Sequence, residues 1–283
     1  MTVLEAIQKS GEFLGKKGVE SPRLNAELLL AHVLKLPRMK LYLNFERALS
    51  ATETDCYREF IKRRGLREPL QHITGSTSFC GCEIIVSKNA LVPRPETEML
   101  AELGWQFLAT ITSQPPTALD FGTGTGCIAI ALALKSPGAK VTALDLSAEA
   151  LALAGQNSAL NKVAERIQFL QGDGFDALPL KTAFDVIISN PPYIASAEIE
   201  TLAPEVKDFD PRAALDGGAD GLDFYRRLAR ESAAHLKLGG KLMVEFGDGQ
   251  ADAIKKIMES EKWIVEAVKE DYSHRARILV ARR

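Results

Sequence analysis

Cysteine is scarce. The chain has four in 283 residues, Cys56, Cys80, Cys82 and Cys127, too few for a disulfide framework. Cys80-Gly-Cys82 lacks a second Cys/His pair at ligand spacing, so no metal site is expected and buried or hairpin cysteines are the reading. Long apolar runs are missing too: none approaches the ~18 residues that would cross a bilayer. Charge of one sign is not in excess, with 35 Lys+Arg against 37 Asp+Glu and a net charge of −2. A global basic footprint for duplex binding is therefore absent, which leaves room only for a local patch. The opening MTVLEAIQKSGEF carries acids and reads as an amphipathic helix, not a signal or Arg-rich transit segment. A cytoplasmic chain with no membrane partner is expected.

What is present is ordered along the chain. Residues 1–75 read as helices, with an apolar stripe of Leu4, Ile7, Phe13 and Leu14, a start at Ser21-Pro22 with Ser21 as N-cap, and a capping box at Ser50-Ala-Thr-Glu53. They hold 13 Lys+Arg against 9 Asp+Glu, and the remainder holds 22 against 28. Lys62, Arg63, Arg64 and Arg67 cluster at a helix end, either solvated or forming a nucleic-acid patch. A β-hairpin is expected next, with runs Thr77 to Cys80 and Glu83 to Val86, then a helix from Glu96 to Ala109 and a Pro-rich connection over 112–117.

From Ala118 strands and helices alternate. ALDFG, KVTALDL, IQFLQGD, FDVIISN and KLMVEFG read as strands, and WIVEAVKED and RARILVARR as a terminal antiparallel pair. Such alternation predicts an α/β fold: a doubly wound, mostly parallel seven-stranded Rossmann-like sheet behind a small helical domain. The expected division is 1–75 helical, 76–95 hairpin connection and 96–283 catalytic.

Four loops would share the carboxyl edge of that sheet, where ligands bind in such folds. The first, Gly122-Thr123-Gly124-Thr125-Gly126, opens a helix and is expected to let the backbone approach a ligand with its N–H groups. Asp145 ends the next strand, placed to hold ribose hydroxyls, with Ser147 the better helix cap. Asp173, followed by Gly174, ends the third, placed to meet an adenine amino group. SNPPYI (189–194) ends the fourth. Prolines cannot continue a ladder, so the strand stops at Asn190 and a stiff loop follows. The Asn190 side-chain oxygen and the Pro191 carbonyl can accept the two N–H groups of an amide and favour a pyramidal nitrogen. Pro192 stiffens the turn, and Tyr193 offers a flat face or simply packs the loop. The pattern asks for a planar substrate with an exocyclic –NH2 and a methyl donor with an adenosine part.

With EPLQHITG (68–75), LVPRPETE (91–98), LDFGTGTG (119–126), SNPPYI and DPRAALDGGADGL (210–222), nearly the whole chain resembles the HemK/PrmC protein-glutamine methyltransferases. The resemblance implies S-adenosyl-L-methionine as methyl donor, S-adenosyl-L-homocysteine as product, and the glutamine of the Gly-Gly-Gln loop of peptide-chain release factors as target. It implies that Gly122 to Gly126 and Asp145 hold the donor, with Asn190 lining it, and that Asn190, Pro191, Pro192 and Tyr193 bind the glutamine. PRPETE is expected to cap the cofactor site or to be a rigid helix start. Family members often carry a large aromatic where this chain has Gly174, so the backbone or the Phe175 ring is expected to meet adenine instead. A monomer is expected. The alternatives are a ribosomal-protein glutamine, an exocyclic amino group of a nucleic-acid base, and a cofactor-binding module without catalysis. A direct nucleic-acid substrate is disfavoured by the acidic balance of the catalytic part.

Overall fold

The computed structural model describes residues 1–112 and 114–283, so Ser113 of the expected Pro-rich connection lies outside the described residues. The chain divides into two units, one of residues 1–76 with 203–209 and one of 77–202 with 210–283. The short stretch 203–209, which the sequence assigns to the catalytic part, groups with the helices.

The first unit contains α1 (Val3–Lys16), α2 (Pro22–Leu34), α3 (Arg38–Leu41), α4 (Ala51–Gly65) and α5 (Leu70–Thr74). Capping boxes start α1 at Thr2 and α4 at Ser50, each with a Glu three residues on that bonds back to the cap N–H. Ser21 departs from expectation. It is left-handed at φ 46 and makes no side-chain cap; Asn25 Nδ2 instead donates to the Glu20 and Ser21 carbonyls. The core holds Val3, Ile7, Leu14, Leu29, Leu30, Leu41, Tyr57 and Ile61, while Phe13 of the expected stripe is exposed. A helix buries only a stripe, and Phe13 falls outside it.

The basic cluster is neither bare nor merely solvated. Arg63 makes a bidentate pair with Glu68. Arg64, itself buried, donates to Asn25 Oδ1 at 2.8 Å and to Glu205 at 2.9 Å, and Arg67 donates to both Glu205 oxygens at 2.6 Å. Such forked pairs fix orientation as well as charge. Each of the three guanidinium groups is thus engaged by a carboxylate within the unit, Arg64 and Arg67 sharing Glu205, which weakens the case for a nucleic-acid patch there.

The second unit opens with a hairpin, β1 (Ser76–Phe79) and β2 (Cys82–Ile85), and α6 (Pro95–Leu108). Then follow β3 (Thr117–Phe121), α7 (Cys127–Lys135), β4 (Lys140–Asp145), α8 (Ala148–Leu160), β5 (Ile167–Gln171) and β6 (Phe184–Ser189). After the one-turn α9 (Pro204–Lys207), which belongs to the first unit, the second continues with α10 (Asp223–Glu231), β7 (Leu236–Glu245), α11 (Ala251–Ser260), β8 (Ile264–Glu270) and β9 (Ala276–Arg282). The seven-stranded sheet runs β5-β4-β3-β6-β7-β9-β8, parallel except for β9, which is antiparallel to both neighbours. Period-two alternation feeds two core layers. Ala118, Val186 and Ile188 face a layer with α6 and α7, and Leu119, Phe121 and Ile187 face one with α10 and α11. β6 is buried at every position, as a central parallel strand must be. The strand order reverses between β3 and β6, so the carboxyl ends of these two strands flank a switch-point crevice.

Replacing Glu205 with Ala leaves the buried Arg64 short of its anionic partner and frees Arg67. A loss of about 1–3 kcal/mol is expected from an ion pair broken at one end, since Arg64 keeps Asn25 and the Glu68 carbonyl. Chemical denaturation gives the magnitude, and faster amide exchange in α4 would locate it.

Candidate active site

The glycine loop is built from inside. Asp120, fully buried in β3, accepts from Thr123 Oγ1 at 2.6 Å and from Ala129 N at 3.1 Å, while its Oδ1 has no partner. Thr123 and Thr125 are both buried, so of the expected donor-binding residues these two turn inward. Gly122, Gly124 and Gly126 all have positive φ, at 75, 55 and 80 degrees, which an L side chain rarely adopts. Four N–H groups of the loop are already engaged within the protein. Gly122 and Thr123 donate to the Leu144 carbonyl, Gly124 to Asp145 Oδ2 at 2.8 Å, and Gly126 to the Thr123 carbonyl. The loop offers space at its start: a Cβ at Gly122 would meet nothing within 4 Å. Asn157 of α8, completely buried, ties this loop to the hairpin, donating to the carbonyls of Thr125 and Ile85 and accepting from Ile85 N.

Asp145 closes β4. Besides Gly124 it accepts from Ser147 N at 3.0 Å, and Ser147 Oγ caps α8 by accepting from Ala150 N. Each carboxylate oxygen thus keeps a lone pair for a hydroxyl. Leu146 beside it is exposed, an apolar surface at the rim. At the end of β5, Asp173 is exposed and its Oδ1 and carbonyl accept from Arg227 of α10. Gly174 has φ 73, and a Cβ there would fall 2.3 Å from Arg227 Nη2, so the guanidinium fills the place of a side chain at 174. Phe175 cannot supply a ring to a ligand. It is buried between Phe121 at 4.9 Å and His235 at 5.0 Å in the core. A planar guanidinium, held by Asp173 and Glu231, stands there instead.

SNPPY begins where β6 ends. Ser189, fully buried, donates to the Phe121 carbonyl at 2.7 Å, which joins this loop to the residue before Gly122. Asn190 Nδ2 donates to Thr97 Oγ1 of α6 at 3.1 Å, leaving Oδ1 to accept. Pro95 takes the first position of α6, as expected, so PRPETE is a helix start that reaches the SNPPY loop through Thr97. Arg94 pairs with Asp210 at 2.8 Å, which brings DPRAAL to the same place. Pro191 is buried and Pro192 half-buried. Tyr193 packs on the second core layer, where a Cβ on Gly247 would lie 2.9 Å from its ring, and its carbonyl accepts from Gln250 Nε2. The ring is thus partly committed to packing.

Asp120, Thr97, Asn157, Arg227 and Glu245 were not picked out from the sequence. Two carried a readable signal: Asp120 in ALDFG and Glu245 in KLMVEFG are acids inside apolar strands, a costly placement that needs a reason. Burial pushes the carboxyls of Asp120 and Glu245 up to about 7. Cys80 and Cys82 are free thiols, and burial pushes Cys80 up to about 12. Among the described residues no group of three His, Cys, Asp or Glu could hold a metal ion, and no helix is long and apolar enough to cross a membrane.

The sheet order, the glycine loop at the switch point, an acid at the end of the next strand and an Asn-Pro-Pro loop beside them define a Rossmann-like methyltransferase. A methyltransferase from Pyrococcus furiosus shares the fold, at 23% identity and TM-score 0.51 over 71% of this chain and 88% of that one. The PrmC N-terminal domain family matches residues 5–75, and the methyltransferase small domain family matches residues 102–206. The release factor glutamine methyltransferase of Geobacter sulfurreducens is 42% identical over 255 residues, covering 89% of this chain and 87% of its own. That of Chlorobaculum tepidum is 39% identical over 278 residues, covering 96% and 94%. The chain belongs to the release factor glutamine methyltransferase family.

The buried acids and the paired ones act in separate pH windows. Asp120 and Glu245 have raised folded pKa values, so the stability they contribute is present below about pH 4 and is lost as pH rises through 7. Glu205, Asp185 and Asp271 are held low, so theirs is lost only as pH falls below the ordinary carboxylate range. Asp120→Asn should flatten the decline between about pH 4 and 7 and leave the acid limb in place. Thermal melts across that range check it.

Proposed function

We propose that this chain transfers a methyl group from S-adenosyl-L-methionine to the side-chain amide nitrogen of a glutamine in the Gly-Gly-Gln loop of peptide-chain release factors. One observation carries the reading. The Asn190 carboxamide is pinned by its nitrogen to Thr97, so its oxygen is left as acceptor, one buried hydrogen bond away from the glycine loop.

The residues fit such a donor. The open face of Gly122 leaves room beside the backbone, Asp145 keeps lone pairs for ribose hydroxyls, and exposed Leu146 offers apolar surface to a purine. The donor supplies an electrophilic methyl on a sulfonium. An amide nitrogen is a poor nucleophile because its lone pair is delocalised into the carbonyl. Asn190 Oδ1 and the Pro191 carbonyl, accepting its two N–H groups, favour the pyramidal geometry in which that pair is available. The rigid prolines hold both acceptors before substrate arrives, so little reorganisation is needed. With the donor bound, the amide nitrogen held by these acceptors would take the methyl, and the S–C electron pair would leave with sulfur. The amide proton becomes acidic and leaves to water. We assign the first unit to docking the folded substrate, because the catalytic loops lie in the second. Its exposed Met39 and Leu43 are apolar surface open to such a contact.

Asn190→Ala should lower the transfer rate roughly a hundredfold or more while the protein stays folded, since one positioning acceptor is worth ~3 kcal/mol in the transition state. Asp145→Ala should weaken donor binding by roughly 1.5–3 kcal/mol, read by calorimetric titration with S-adenosyl-L-homocysteine. The function itself is tested by mass spectrometry of a release factor incubated with the protein and methyl-labelled donor. Label on the Gly-Gly-Gln glutamine is expected. No label on the release factor, with label on a ribosomal protein, would replace the substrate.

A further inference from the structure

Glu245 ends β7 beside the SNPPY loop. It is 3% exposed, and its Oε2 is buried without a hydrogen-bond partner. A buried carboxyl in that state costs free energy and is not placed there by packing alone. Its backbone carbonyl accepts from the Tyr225 hydroxyl at 2.8 Å, and since Ser189 pairs with Val244, Glu245 follows Val244 as Asn190 follows Ser189 on the neighbouring strand. The Thr97 and Asn190 side chains are the polar groups that favour its ionised form. These two are already bonded to each other, with Asn190 Nδ2 donating to Thr97 Oγ1. That leaves Thr97 its hydroxyl proton and Asn190 its second amide proton, two donors of the kind a carboxylate accepts.

We propose that Glu245 is a positioning residue for methyl transfer: as a carboxylate it gathers the free donors of Thr97 and Asn190 and so holds the Asn190 carboxamide with its oxygen toward the substrate. The proposal rests on the function stated above and names a residue that acts behind the reacting atoms. An anion accepting from the amide nitrogen also draws electron density onto Oδ1, which strengthens its bond to the substrate N–H. The protonated acid does the opposite. It can donate to Thr97 Oγ1 or to Asn190 Oδ1, which permits the carboxamide to turn over and present its nitrogen.

The surrounding charges are Glu96 from α6, which opposes ionisation, and Arg277 from β9, which favours it. Arg277 is itself bound to Asp271 at 3.1 Å. Tyr193 in the loop and Tyr225 of α10 also face the group. Arg94 is occupied by Asp210. No cation therefore contacts the Glu245 carboxyl among the described residues, and its charge state changes near neutral pH, with the carboxylate present above about 7. Asp120 titrates in the same range, so a pH profile of the unaltered protein alone does not separate the two.

The test compares the unaltered protein with Glu245→Gln. The turnover number for a release factor is measured across pH values on both sides of neutrality, and S-adenosyl-L-homocysteine affinity is measured separately. Turnover of the unaltered protein should rise as pH increases through neutrality. Glu245→Gln should lower the plateau by about tenfold to a hundredfold, erase that rise, and leave product affinity within about twofold. An unchanged plateau, or a rise that persists in the variant, overturns the proposal and assigns the titration to Asp120. A second readout needs neither substrate nor turnover: the side-chain amide resonances of Asn190 should shift with pH around neutrality in the unaltered protein and cease to do so in Glu245→Gln. If the variant does not fold, the resonances of the unaltered protein still decide, because an Asn190 amide insensitive to pH overturns the assignment. If no methyl reaches a release factor while the Asn190 resonances titrate as stated, the proposed substrate fails and the role of Glu245 stands.

Discussion

One buried hydrogen bond holds the two halves of the site in register. Ser189, the last residue of β6, donates its hydroxyl to the carbonyl of Phe121, the last residue of β3. Gly122 follows one and Asn190 follows the other. Parallel pairing already sets Asp120 opposite Ile188, and the serine extends that register one step past the end of the ladder. The loop that leaves space for a methyl donor and the loop that would grip an amide are therefore fixed to each other by the sheet, not by their own flexible backbones. A transfer reaction whose two reacting atoms must meet within bonding distance depends on such rigidity.

Around this joint the protein tolerates local electrostatic cost. Asp120 lies under the glycine loop and Glu245 lies under Asn190, each in an otherwise apolar strand and each with one oxygen unpartnered. Apolar residues of similar volume would pack there at lower cost. Asp120 organises its loop by accepting from Thr123 and Ala129, and the proposed role of Glu245 is the same toward Thr97 and Asn190. Perturbed carboxyls grouped at one sheet edge are a mark of a working site.

Much of this was legible in the sequence because the signals were periodic. The seven strands of the catalytic sheet announce themselves as short apolar runs between turn residues, and the terminal antiparallel pair by closeness along the chain. The capping box at Ser50 was readable because its partner, Glu53, is local. What was not legible depends on contacts distant in sequence. Nothing in the order of residues says that Arg64 and Arg67 reach Glu205, so guanidinium groups that read as free are engaged. Nothing says that Arg227 covers Gly174, or that Phe175 turns into the core. The glycine loop shows a subtler limit. Its residue types predict the shape of the turn, but where its N–H groups point is decided by the Leu144 carbonyl and the Asp145 carboxylate, which belong to the neighbouring strand.

The central claim is that the Asn190 oxygen and the Pro191 carbonyl hold a glutamine amide next to the glycine loop. It is tested most directly by a crystal structure with S-adenosyl-L-homocysteine and a release factor bound together. The glutamine nitrogen is expected within about 3 Å of both acceptors and turned toward the sulfur of the bound product. A glutamine bound elsewhere, or an Asn190 carboxamide turned so that its nitrogen faces the substrate, would contradict it.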